Sequence, residues 1–287
     1  MTLTFRKLHP RFGVEITGVD LSKPVDTPTF GQIRAAFEEH SVLLFRDQRL
    51  DDEKQIAFSR LFGPLETTVS ANPAAGTAFA RQSNIDIDTG EVIPPGDRRM
   101  IYQKANYFWH TDSSFKRIPA LCSLLSARIC PEAGGDTEFV STRVAYSELT
   151  DALRERIADL VCEHSLQHSR SLVDPTVLTE AQRAEVPPVK QRLVRENPIN
   201  GRKVVYLSAH ASHVVGWPVE EGRAFLADLN ARATRPDLVH AHRWREGDII
   251  VWDNRATMHR ATAYDTVKYK RLMQRTTVAG DAPTVPQ

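Results

Sequence analysis

Asn106-Tyr-Phe-Trp-His110-Thr-Asp112-Ser-Ser-Phe115 sets an imidazole and a carboxylate two residues apart, amid aromatic and hydroxyl side chains. On an extended strand, residues i and i+2 point to the same face, so His110 and Asp112 can grip one ion together. A third donor is available far downstream, in Val251-Trp-Asp-Asn-Arg-Ala-Thr-Met-His259-Arg260. Taken alone, an H-x-D tripeptide is a weak signal in a chain with 10 His. A surface strand with a hydrogen-bonded His is the better explanation of the tripeptide by itself. The remainder of the chain decides between the two.

The 37 basic and 36 acidic residues nearly cancel. No broad basic surface for nucleic acid follows from them, and any charge selectivity rests on a few placed residues. At 287 residues, one large domain or two small ones are both open, and 41% hydrophobic content is ordinary for a soluble globular chain. Cys122, Cys130 and Cys162 fit neither a CxxC metal site nor a disulfide framework, which predicts buried thiols in a reducing compartment. Met-Thr-Leu-Thr-Phe-Arg-Lys-Leu-His-Pro lacks the apolar core of a signal peptide. No run approaches the roughly 18 to 20 apolar residues that span a bilayer. A cytoplasmic protein without membrane or nucleic-acid partners is expected. No heptad or apolar patch marks a subunit interface, so a homo-oligomer stays open.

Outward from the H-x-D, short strands dominate. Phe12–Asp20 alternates, Ser41–Arg46 is a brief apolar run, and Leu121–Ile129 with Thr137–Val140 reads as a hairpin turned by Gly134-Gly135. Further strands are expected at Val189–Arg195, Lys203–Ser208, Leu238–Trp244, Asp248–Trp252 and Arg271–Val278. Helices are expected from Thr29 to His40, from Asp51-Asp52 to Gly63, near 143–149 and 151–160, and from Pro218 to Arg232. Between Glu66 and Lys104 the pattern dissolves into loop chemistry, with Asn72-Pro73, Gly76, Asp88-Thr-Gly90 and Pro94-Pro-Gly96. A structureless stretch of that length is often a binding loop or lid. Many strands with few α–β alternations argue against a doubly wound sheet. A mainly β fold with flanking helices fits better, around a double-stranded β-helix of the jelly-roll or cupin type that can hold a metal in its mouth.

Two His and one carboxylate on one face leave coordination positions open, as in the facial triad of non-heme Fe(II) oxygenases. Trp109-His-Thr-Asp112, Gly134-Gly-Asp-Thr137, Trp252-Asp-Asn-Arg255, Met258-His259-Arg260, Arg271 and Arg275 follow one another in order. Together they resemble the taurine/2,4-dichlorophenoxyacetate dioxygenase family of Fe(II)- and 2-oxoglutarate-dependent oxygenases. The likeness runs from about Phe12 to Ala279. Ser41–Arg46, Phe58–Glu66, Gly134–Phe139 and Ala209-His-Ala-Ser-His213 look most like its phenoxyacetate-degrading branch.

That resemblance implies one dioxygenase domain over residues 1–287, with a substrate lid at about 66–105. It makes His110, Asp112 and His259 the iron ligands. It gives Thr137 and Arg271 the distal carboxylate of 2-oxoglutarate, and gives Arg275 the anionic group of a small organic substrate. Asn84 falls where relatives often carry a substrate-side Asn, and His213 is a candidate to support a metal ligand from behind or to face the substrate. Arg271 and Arg275 are four apart on an expected strand, hence on one face and about 13 Å apart along the backbone. Arg offers permanently charged, bidentate recognition of a carboxylate. His240 and His242 also sit i, i+2, and an outward polar face accounts for them.

The implied reaction consumes 2-oxoglutarate and O2, yields succinate and CO2, and hydroxylates an aryloxyalkanoate beside its ether oxygen. A phenol and glyoxylate or a keto acid result. Alternatives are the same chemistry on an alkyl sulfonate or sulfate ester, and a non-catalytic metal-binding jelly-roll sensor. A sensor has no need of the Thr137–Arg271 carboxylate clamp.

Overall fold

The computed structural model describes residues 2–72 and 74–285, so the turn expected at Pro73 lies outside the described residues. Two apolar tetrads explain how the layers form. Val42–Phe45 and Ile249–Asp253 are neighbouring antiparallel strands at the middle of a seven-stranded sheet. Successive side chains on a strand point to opposite faces, so a run that is apolar throughout must be covered on both. Leu43, Phe45, Ile249 and Val251 pack with Ile33, Phe37, Phe58 and Phe62 from the helices Thr27–His40 and Asp52–Arg60 and the turn after the second. Val42, Leu44, Ile250 and Trp252 pack on the other side with Phe139 and Trp244.

The large sheet runs Thr4–Lys7, Val14–Thr17, Val42–Phe45, Ile249–Asp253, Cys122–Ile129, Leu272–Val278, Phe79–Ser83. All its pairings are antiparallel except that of Val14–Thr17 with Val42–Phe45. Phe139 belongs to a second sheet, His240–His242, Thr137–Ser141, Thr257–Ala261. Ala211–Val214, Val161–His164 and Val189–Arg192 form a third, and Val194–Glu196 pairs with Lys203–Val205. The helix Val219–Ala233 closes a further core with Leu226 and Leu229 against Val205, Leu207 and Val214. Among the described residues no helix is long and apolar enough to cross a membrane.

Several sequence expectations need correction. Cys122–Ile129 and Thr137–Ser141 are not a hairpin but belong to different sheets. Gly134 and Gly135, at φ of 74° and 70°, carry the chain across. Asp26 rather than Thr29 caps the first helix, its carboxylate accepting from Thr29 N at 2.7 Å. The segment 66–105 is not structureless. Phe79–Ser83 forms the last strand of the large sheet, and Arg98–Lys104 is a helix capped by Asp97. The strand buries Phe79, Ala80 and Ser83 rather than alternating, which hid it. His242 is buried, not outward, with Nε2 3.0 Å from Asp248 Oδ2.

Candidate metal centre

His110 and Asp112 do not lie on a regular strand. His110 forms an isolated antiparallel bridge with His259, the two residues exchanging backbone hydrogen bonds of 3.0 and 2.9 Å. The chain turns directly after this bridge, with Ser113 at φ 54°, and Asp112 stands beside the two histidines. One donor atom from each of His110, Asp112 and His259 lies within 4.8 Å of the others, and all three residues are buried. His110 Nε2 is 3.8 Å from Asp112 Oδ1, and His259 Nε2 is 3.8 Å from Asp112 Oδ2.

Protonation favours a cation here. His110 Nδ1 donates to Phe108 O at 2.9 Å, which leaves Nε2 as the lone-pair nitrogen. Burial pushes both imidazoles below their ordinary value of 6.5, so both are neutral and ready to ligate. Burial works the other way on Asp112, but the charge of the Arg275 guanidinium, helped by the Ser123 hydroxyl, outweighs it. Together they hold the carboxyl at about 2. A buried, ionised carboxylate with two neutral imidazoles is the donor set of a divalent metal with open positions, and the residues present fit one.

Residues without a role in the sequence expectations orient that carboxylate. Ser123 Oγ donates to Asp112 Oδ2 at 2.7 Å and accepts from Asn254 Nδ2 at 2.9 Å. Asn254 Oδ1 takes the Asp112 N–H at 3.3 Å and the Trp252 indole N–H at 3.0 Å. Asn254 lay within a quoted motif, whereas nothing local pointed to Ser123.

Two cavities meet at the centre. Thr137, Trp252, Leu125 and Arg271 line the inner one with His110 and His259. Thr137 Oγ1 accepts from Trp244 Nε1 at 2.9 Å, so its own hydrogen can point elsewhere. Arg271 is 7% exposed, donates from Nη2 to Gly135 O at 3.2 Å and keeps its Nε without a partner. No acid pairs with it among the described residues. Burial lowers its pKa from the usual Arg value without supplying a counterion. That arrangement suits the carboxylate of a bound ligand.

The outer cavity, about 590 Å³ of space partly open to solvent, is lined by Val69, Tyr102, Phe115, Arg170 and His210 along with His110 and Asp112. Gln82 and Asn106, joined by a hydrogen bond of 2.8 Å from Asn106 Nδ2, border both cavities, and so does Arg275. The shared face expected for Arg271 and Arg275 is present. Arg275, however, donates from Nη1 to Asp112 Oδ1, while its buried Nε has no partner.

Two expected site residues lie elsewhere. Asn84 is wholly buried and borders neither cavity. Its amide donates to Thr266 O and Tyr269 O, both at 2.8 Å, and its carbonyl takes the Arg271 N–H at 2.8 Å. Every polar atom of Asn84 is therefore spent on holding the backbone that carries Arg271. His213 borders neither cavity and contacts Ser212 Oγ at 2.8 Å. Its neighbour His210 lines the outer cavity instead, 3% exposed, with Nδ1 2.7 Å from Ser169 Oγ.

The family model "Taurine catabolism dioxygenase TauD, TfdA family" matches residues 4–277. The chain belongs to that dioxygenase family. This TauD/TfdA-family dioxygenase is 40% identical, over 98% of its length and 99% of the other's, to the alpha-ketoglutarate-dependent 2,4-dichlorophenoxyacetate dioxygenase of Cupriavidus pinatubonensis. It is 35% identical to the (S)-phenoxypropionate/alpha-ketoglutarate-dioxygenase of Sphingobium herbicidovorans, covering 96% and 94% of the two chains. Its mainly β architecture superposes on the crystal structure of AAD-2 in complex with Mn(II) and N-oxalylglycine with a TM-score of 0.93. That match is at 41% identity over the whole of both chains.

Proposed function

We propose that this dioxygenase uses Fe(II), 2-oxoglutarate and O2 to hydroxylate the carbon beside the ether oxygen of an aryloxyalkanoate. A phenol and glyoxylate or a keto acid leave, with succinate and CO2 as coproducts. The chain acts as one domain on a jelly-roll core in the cytoplasm, with residues 66–105 as the lid over the outer cavity. The observation that carries this is the placement of the buried His110–Asp112–His259 set beside Arg271, a buried cation with no acid of its own among the described residues. A metal-binding sensor would leave Arg271 without purpose.

His110, Asp112 and His259 hold the iron, while Thr137 and Arg271 receive the distal carboxylate of 2-oxoglutarate. With iron, cosubstrate and dioxygen bound, the site supplies the oxidising power, and the protein supplies geometry, charge and a dry cavity. Arg275 fixes the Asp112 carboxylate through Nη1 and offers Nε to the reacting end of the substrate. Phe115, Tyr102 and Val69 give an aryl ring an apolar wall. Neutral His210 borders the same wall without adding charge, since burial holds its pKa well below 6.5. The hemiacetal product collapses to phenol and carbonyl acid unaided.

The test is succinate formation by the iron-loaded protein across aryloxyacetates, aryloxypropionates, alkyl sulfonates and sulfate esters. Equimolar phenol and succinate from an aryloxy acid is the expected result. Faster consumption of a sulfonate or sulfate ester would move the substrate class and leave the iron site unchanged.

A further inference from the structure

Arg170 and Arg271 are the two buried arginines among the described residues, 8% and 7% exposed. They are alike in three other respects. Each keeps a buried Nε without a partner. Neither pairs with an acid among the described residues. Each guanidinium lies near a tyrosine ring, Arg170 at 4.1 Å from the Tyr102 centroid and Arg271 at 5.8 Å from that of Tyr264. They sit on opposite sides of His110, Arg271 on the inner cavity and Arg170 on the outer.

The other cations of the outer cavity are already compensated. Lys116 is held by Glu66 at 2.7 Å, and Arg275 by Asp112. Arg170 is not, although it lines the same cavity as His110 and His210. A buried cation without a counterion is costly unless something anionic completes it. On the inner side that anion is the cosubstrate. We infer that Arg170 is its counterpart for the substrate: the acid group of the aryloxyalkanoate docks on the Arg170 guanidinium, with Tyr102 of the lid helix stacked behind it.

This deepens the proposed function and rests on it. It defines the ligand as a small organic anion with a flat apolar body, its acid group between Arg170 and the metal and its ring against Phe115 and Val69. It also joins the bound acid to the segment 66–105, since Tyr102 belongs to the helix Arg98–Lys104. The competing account is that Arg170 only ties the lid to the helix Leu166–Ser171 through Tyr102. A tether of that kind would not distinguish charged from neutral ligands.

The test compares iron-loaded wild-type protein with Arg170→Gln and Arg170→Lys, using phenoxyacetate and its uncharged carboxamide. Succinate formation gives turnover, and anaerobic calorimetry gives binding of each compound in the presence of 2-oxoglutarate. Arg170→Gln should raise the phenoxyacetate KM and Kd by about 30-fold or more, as for loss of a buried charge-assisted pair. The carboxamide values should move less than about 3-fold, and Arg170→Lys should recover part of the acid's affinity. Should Arg170→Gln melt out, Arg170→Met, which keeps the stem over Tyr102, is measured in its place. Equal losses for acid and amide, or no loss for either, would overturn the inference. So would a wild-type protein that makes succinate but binds no organic acid. Absence of any succinate from the wild type would instead overturn the reading of the iron site.

Discussion

Arg275 and Asp112 form an ion pair inside the protein, with the guanidinium on one carboxylate oxygen and the Ser123 hydroxyl on the other. The pair makes Arg275 a keeper of the metal-binding carboxylate as well as a wall of both cavities. Asp112 is depressed to about 2 from 3.8, so its ionised form stabilises the fold above about pH 4, and that contribution disappears as the pH falls from 4 towards 2. Without Arg275, burial dominates and the carboxyl titrates at higher pH. Arg275→Gln should therefore shift the acid limb of metal retention upward, measured as bound metal against pH. Breaking such a pair is worth on the order of 2 to 5 kcal/mol, and turnover of acid and carboxamide substrates should fall together. An unmoved acid limb would dissociate Arg275 from Asp112.

His110→Ala, Asp112→Ala and His259→Ala should each abolish succinate formation and lower bound metal well below one per chain, with far-ultraviolet dichroism unchanged. The bridge between His110 and His259 is made by backbone atoms, so removal of an imidazole does not remove it. Full activity in any one variant would take that residue out of the donor set.

Gly135 sits at φ 70°, and a Cβ there would lie 3.3 Å from Arg271 Nε and 3.0 Å from Pro131 Cγ. Gly135→Ala should cost about 1 to 3 kcal/mol of stability through the left-handed backbone and should raise the KM for 2-oxoglutarate before it lowers kcat. Arg271→Ala should raise the same constant more steeply, with the substrate KM little changed. An unaltered 2-oxoglutarate KM in Arg271→Ala would mean that another cation holds the cosubstrate.

His164 provides a pH dependence unrelated to the metal. Burial, then Arg195 and His168, push its imidazole from 6.5 to about 3, with Nδ1 3.0 Å from Ser114 Oγ. The folded protein keeps His164 neutral while the unfolded chain takes up a proton near 6.5. The unfolded state therefore binds more protons between about 3 and 6.5, and stability falls as the pH falls through that window. His164→Asn should flatten this slope, by at most about 1.4 kcal/mol per pH unit. Urea midpoints at several pH values measure it, and an unchanged slope would place the acid sensitivity elsewhere.

What was legible in the sequence was local. His110 and Asp112 are two residues apart, and the ordered motifs carried His259, Thr137 and Arg271 with them. The apolar tetrads at 42–45 and 249–252 declared buried strands because both faces of each are covered. What escaped depended on partners distant along the chain. Asn84 is claimed by Thr266, Tyr269 and Arg271, and no local pattern shows that a buried Asn has been consumed by backbone. Arg170 sits on a six-residue helix, and the Tyr102 ring that packs over it comes from a helix some seventy residues earlier in the chain. The false hairpin at 121–140 failed for the same reason, since the neighbours of each strand come from elsewhere in the chain.

The reciprocal main-chain pairing of His110 with His259 means that the gap between the two imidazoles is written in peptide groups, not in side chains. Replacing either histidine changes what is offered there without changing where it is offered from. The centre is a socket: a Cys, Asp or Gln plugged in at 110 or 259 would start from the same backbone spacing, with its own reach. The chain is thus a starting point for fitting other donor sets, and other metals, beside a buried arginine, Arg271, that has no acid of its own among the described residues.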